Sequence, residues 1–127
     1  MIQLLLHLWG DYILQSDWMA QTKTKAFLPA AIHAACYSLP FLLLRPSAYA
    51  FAVILVTHFF IDRYRLARYV VILKNAVLVP RTVLAETDYL TATGYPDSCP
   101  PWMAVWLLII ADNILHLTIN YLSLRYL

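Results

Sequence analysis

Three histidine–aspartate pairs, each spaced four residues apart, interrupt the most apolar stretches of this chain: His7 with Asp11, His58 with Asp62, and Asp112 with His116. In a helix, positions four apart lie on one face, one above the other. The fourth histidine, His33, lies in the apolar run Pro29-Ala30-Ala31-Ile32-His33-Ala34-Ala35-Cys36. Imidazoles and carboxylates set among hydrophobic side chains need partners. The pattern therefore requires that the helices carrying them converge.

Composition says what solvent those helices meet. Hydrophobic residues make up 62% of the 127 and charged residues 13%, with a mean hydropathy of +0.66. A soluble domain is about 45–50% apolar and about 25% charged. The expected fold class is all-α: an integral membrane helical bundle with about four transmembrane helices, plus a further helix lying on the membrane surface. The net charge of +2 gives no argument for nucleic acid as a partner. Cys36 and Cys99 form no CxxC motif and no disulfide framework. With no basic n-region and no small-residue cleavage site, Met1 is expected to begin the mature chain.

The chain reads as a single membrane domain, 1–127, with helices near 2–20, 26–44, 48–72 and 102–124. In the first, His7, Asp11 and Gln15 follow at intervals of four and form a polar stripe, while Leu4, Leu5, Leu8, Ile13 and Leu14 occupy the remainder. Such a helix faces lipid on one side and protein or water on the other. Pro40 is expected to kink the second helix. Residues 73–101 form a cytoplasmic connector, in which Val77, Leu78, Val83, Leu84 and Leu90 suit an amphipathic helix, with Arg81, Glu86 and Asp88 facing water. Lys23 and Lys25 flank one turn, and Arg63, Arg65, Arg68, Lys74 and Arg81 flank another. The positive-inside rule makes both stretches cytoplasmic. The expected location is the bacterial inner membrane, crossed several times.

With about 1.5 Å of rise per residue, Asp11, His33, His58, Asp62 and Asp112 all fall between the midplane and the cytoplasmic face. Three unpaired aspartates at that depth would cost roughly 8–10 kcal/mol on the insertion scale. A metal ion, protonated histidine or a water-filled cavity would each offset this.

Neutral imidazole nitrogen and carboxylate oxygen are the donors that bind a first-row divalent metal, with zinc the natural candidate. The expected ligands are His7, Asp11, His58, Asp62, Asp112 and His116. His33 completes the site or acts as general base, Asp17 is a second candidate catalytic group, and Gln15 and Asn113 support the ligands. A bound metal makes hydroxide available near neutral pH, so the leading expectation is a metal-dependent hydrolase acting on a lipid-linked or membrane-adjacent substrate. Arg63 and Arg65 suit an anionic head group at the inner rim.

Two other functions fit the same residues. One is a non-enzymatic membrane effector that binds a host membrane protein, excluding a second phage or disabling a defence, in which the cluster only holds the bundle together. The other is a proton or ion path, since Asp/His chains also serve pumps. Membrane lipids are partners in every case, and a homo-oligomer is compatible with each.

The segment His7-Leu8-Trp9-Gly10-Asp11-Tyr12-Ile13-Leu14-Gln15-Ser16-Asp17-Trp18-Met19-Ala20, then His33, Thr57-His58-Phe59-Phe60-Ile61-Asp62 and Asp112-Asn113-Ile114-Leu115-His116 resemble an uncharacterised family of small bacterial and phage integral membrane proteins. That family's last motif reads Asp-Gln where this chain has Asp112-Asn113, a shorter amide. The resemblance implies a helical membrane protein and no assigned activity. More remotely, the pattern is similar to membrane-bound metal-dependent hydrolases, an analogy of pattern alone.

Overall fold

The computed structural model describes residues 1–86 and 88–127, with side chains described outside 84–87. It is helical, and no strand occurs among the described residues. The chain divides into two compact units, residues 1–65 with 116–127, and residues 66–115.

The first unit is built around α3 (Phe27–Ser38) and α4 (Ala48–Tyr64). On α3 the buried positions are Pro29, Ala30, His33, Ala34, Tyr37 and Ser38; on α4 they are Ala50, Ile54, His58, Ile61 and Asp62. Both sets recur at intervals of three and four, which makes each a single stripe. Alanines at 30, 34 and 50 keep the stripes low, so the two backbones approach closely. The apolar core comprises Leu6, Tyr37, Phe41 and Ile54, with Leu44 and Leu124 packed against it.

Pro40 does alter the second segment. It lacks an amide hydrogen and crowds the preceding turn, and from Leu39 to Leu44 the helix tightens into a 3-10 form. Arg45 ends it in the left-handed region (φ 49), and Ser47 starts α4 by accepting a hydrogen bond from the Ala50 amide at 3.0 Å.

The first segment is not one helix. α1 covers Ile2–Leu8, a π-helical turn follows over Trp9–Ile13, and α2 spans Asp17–Thr22. Ser16 caps α2, its Oγ accepting from the Met19 amide at 3.3 Å. This break follows from sequence chemistry: Ser16 competes for backbone hydrogen bonds and favours a cap over a helix interior. The third segment also divides. Arg65 adopts a left-handed conformation (φ 53) and closes α4 before α5 (Leu66–Leu78) begins.

In the second unit, α5 buries Ala67, Val71 and Asn75, spaced four apart. The Asn75 amide donates to the Gly94 carbonyl at 2.9 Å. Gly94 has φ +79, and a Cβ there would meet the Arg68 carbonyl at 3.0 Å, so a larger residue would be strained. α6 spans Arg81–Glu86. Leu84 and Glu86, expected on the apolar and wet faces of a surface helix, have side chains outside the described residues. α7 runs Pro101–Tyr126, its residues from His116 onward belonging to the first unit.

Among the described residues, two helical stretches are long and apolar enough to cross a membrane, Phe27–Leu44 and Pro101–Tyr126. α4, at 17 residues, is about 25 Å long by the same rise per residue.

Candidate metal centre

Asp11, His33, His58 and Asp62 converge inside the first unit. Each offers one donor atom, all four atoms lie within 4.8 Å of one another, and all four residues are buried. Three elements deliver them. Asp11 comes from the π turn, His33 from α3, and His58 with Asp62 from α4. The His58–Asp62 pair forms at the expected spacing, Nε2 to Oδ2 at 3.2 Å, because α4 is unbroken helix across both.

The π turn decides where Asp11 goes. A π turn adds a residue to the local repeat and is frequent at functional sites. Asp11 Oδ1 lies 3.3 Å from His33 Nε2. Gly10, beside it, lets this turn lie against α3, since a Cβ there would meet the Tyr37 carbonyl oxygen at 2.7 Å. His7, one turn back, is buried against Tyr37, its Nδ1 2.8 Å from the Tyr37 hydroxyl and its ring centroid 5.9 Å from that of His116.

The donor atoms have the spacing a small cation requires. His33 Nε2 lies 3.0 Å from Asp62 Oδ2 and 3.0 Å from His58 Nε2. Tetrahedral ligands about 2.0 Å from a metal lie about 3.3 Å apart. Four of the six donor–donor distances, 3.0 to 3.3 Å, match that edge.

Behind these atoms lies a network with one consistent set of hydrogens. His58 Nδ1 is 3.2 Å from His116 Nδ1, and His116 Nε2 is 3.2 Å from Asp62 Oδ1. If His58 Nε2 faces the centre with its lone pair, its Nδ1–H donates to His116 Nδ1. His116 then carries its hydrogen on Nε2 and donates to the Asp62 carboxylate. Both His116 nitrogens are engaged, and one imidazole fixes the ring of His58 and the rotation of Asp62. The Tyr37 ring stacks on His58 with centroids 3.5 Å apart and planes 9° from parallel. The Tyr37 hydroxyl accepts from Asn120 Nδ2 at 2.6 Å and lies 2.8 Å from His7 Nδ1. His33 is held differently: its Nδ1 is buried with no hydrogen-bond partner among the described residues.

Lys23 is the group that sequence reasoning missed at this centre. Its ammonium donates to Asp62 Oδ2 at 2.7 Å and to His33 Nε2 at 3.2 Å, and lies 3.8 Å from Asp11 Oδ1. Its position is set by Arg63, whose guanidinium donates to the carbonyls of Thr24 and Lys25. Arg63, expected at the rim for an anionic head group, pins the turn after α2.

Asp17, Gln15, Asp112 and Asn113 are the remaining expected site residues. Asp17 is exposed on the first turn of α2, and its carboxylate accepts from Gln21 Nε2 at 2.9 and 2.8 Å. Gln15 is half-buried, with an Oε1 that has no hydrogen-bond partner among the described residues. Asp112 and Asn113, half-buried on α7, belong to the second unit.

Fold and site together define an all-α protein with a buried, histidine- and aspartate-lined centre suited to a metal ion. The family model described as "Protein of unknown function (DUF3307)" matches residues 1–87, and the chain belongs to that family. The matched span holds Asp11, Lys23, His33, His58 and Asp62, whereas His116 lies beyond it. No curated protein and no solved structure matches the chain.

Proposed function

We propose that this protein is a metal-dependent hydrolase of the bacterial inner membrane, acting on a lipid-linked or membrane-adjacent substrate. The observation that carries the reading is the convergence of two imidazole nitrogens and two carboxylate oxygens, all within 4.8 Å of one another, in a buried site. With both imidazole nitrogens bare of hydrogen, four lone-pair donors at this separation repel one another unless a cation lies among them. His33, His58, Asp11 and Asp62 would hold that cation, and zinc suits a set of two nitrogens and two oxygens. When bound, it supplies a Lewis acid and lowers the pKa of water. His116 keeps His58 and Asp62 in their binding orientation, as residues behind metal ligands commonly do. The membrane location draws support from the two apolar helices of spanning length.

Elemental analysis of the purified protein, before and after dialysis against a chelator, tests the metal. The expected result is about one equivalent of divalent metal, lost in the His33→Ala and Asp62→Asn variants. Hydrolysis of a radiolabelled total bacterial lipid extract by loaded and stripped protein tests the activity. A protein purified from zinc-supplemented cells without metal, and indifferent to chelator in its thermal unfolding, refutes the reading.

Lys23 favours a second reading. Its 2.7 Å contact with Asp62 supplies a cation from the chain itself, as a structural polar network within a membrane effector would use. In that case Lys23→Met destabilises the protein and no metal is found.

A further inference from the structure

The four converging atoms and Lys23 compete for one place. Asp11 and Asp62 carry two negative charges between them. The Lys23 ammonium lies against three of the four donor atoms, at 2.7 Å from Asp62 Oδ2, 3.2 Å from His33 Nε2 and 3.8 Å from Asp11 Oδ1. A divalent ion about 2.0 Å from those same atoms would be in close contact with the ammonium. Two like charges at that separation repel strongly, and each carboxylate oxygen has already been given to one of them.

We propose that Lys23 is the resident cation of this site: it holds Asp11 and Asp62 in the metal-free protein and swings out when a divalent ion enters. The proposal rests on the metal reading above. The lysine is built for such a move. Its side chain is 17% exposed, so a path to solvent exists, and a four-carbon stem carries its charge outward at little cost. The backbone need not follow, because Arg63 anchors the turn at Thr24 and Lys25. Metal entry is then an exchange of one cation for another, and it leaves the carboxylates charged throughout. The exchange also clears the face that the ammonium covers, the side from which water and substrate reach the ion.

Amine acylation with an N-hydroxysuccinimide ester, read by peptide mass spectrometry on the wild-type protein, tests this directly. Lys25, exposed two residues away, is the internal standard. Without metal, Lys23 is expected to react about tenfold more slowly than Lys25, and the protection is expected to vanish on adding Zn²⁺. In parallel, Lys23→Met is expected to bind Zn²⁺ about tenfold more tightly, since a competitor that fills the site nine-tenths of the time weakens apparent affinity by that factor. If Zn²⁺ binds wild type and variant alike and labelling does not change, the exchange is overturned and the metal site stands. If Zn²⁺ binds neither, both fall. Should Lys23→Met fail to fold, the wild-type labelling decides.

Discussion

Replacing His116 tests whether one imidazole organises the centre. His116 is 1% exposed and spans His58 Nδ1 and Asp62 Oδ1, each at 3.2 Å. His116→Leu fills most of the volume and removes both contacts. The His58 Nδ1–H then lacks its acceptor, at about 1–3 kcal/mol for a buried unsatisfied donor. Asp62 loses a hydrogen bond to a charged group, about 1.5–3 kcal/mol. Part of that loss falls on the fold and part on the metal. Residues behind metal ligands typically contribute 10–100-fold in affinity, which is about 1.4–2.8 kcal/mol. His116→Gln presents one acceptor and one donor and is expected to restore part of both losses. The assay is Co²⁺ or Zn²⁺ titration against a competing chelator, paired with thermal unfolding of the metal-free variants. A His116→Leu protein that binds metal with wild-type affinity would refute the relay, whatever its stability. So would a His116→Gln protein no better than His116→Leu in affinity.

Three further outcomes follow from the geometry. Gly10→Ala would press a Cβ to 2.7 Å from the Tyr37 carbonyl oxygen and 2.8 Å from its ring, an overpacking that typically costs about 1–3 kcal/mol; denaturant unfolding should show it, together with weaker metal binding as Asp11 moves off. Tyr37→Phe keeps the ring that stacks on His58 but removes the hydroxyl shared by Asn120 and His7, so stability should fall by about 1–3 kcal/mol with metal affinity nearly unchanged. Trp9, Trp18, Trp102 and Trp106 are all exposed, so brominated phospholipid should quench the tryptophan fluorescence of reconstituted protein; a monodisperse protein without detergent, unaffected by brominated lipid, would sink the membrane reading.

How legible the site was in the sequence depended on helix continuity. His58 and Asp62 were readable as a pair because α4 is uninterrupted between them, and the spacing of four translates directly into a 3.2 Å contact. His7 and Asp11 share that spacing, but a π turn begins at Trp9, so Asp11 meets His33 on α3 while His7 faces Tyr37. Periodicity alone cannot announce a π turn; the one clue was Gly10, a residue that costs stability in a helix unless a neighbour's backbone needs the space. His33 carried no His or Asp partner at any helical interval, so only tertiary packing could reveal it as the residue that meets the other three. Lys23 was hidden for another reason. A lysine at the end of an apolar segment is read as a topology signal, and that reading gives no hint that its side chain turns inward. Arg63 misled in the same way, as its guanidinium is spent on two backbone carbonyls. All-α architecture was plain from composition, whereas the breaks at Ser16 and Arg65 depended on local capping and a left-handed residue.

The first unit buries a polar cluster beside its small apolar core. Its interior holds His7, Asp11, His33, His58, Asp62, His116 and Asn120, while Leu5, Ile13, Phe27, Leu28 and Leu43 lie on its surface. In water the hydrophobic effect would oppose that distribution, since it rewards burying the leucines and charges for burying the carboxylates. In hydrocarbon the leucines cost nothing outside, and helix association must come from close packing and polar contacts. Under those conditions the cluster is what draws the segments together, with small residues at 30, 34 and 50 setting how near they come. A centre that both assembles the helices and presents convergent donors cannot have its ligands removed one at a time without loosening the fold. Metal affinity and stability should therefore fall together for Asp11, His33, His58 and Asp62, and separate only at residues such as Tyr37 that support the packing without offering a donor atom to the centre.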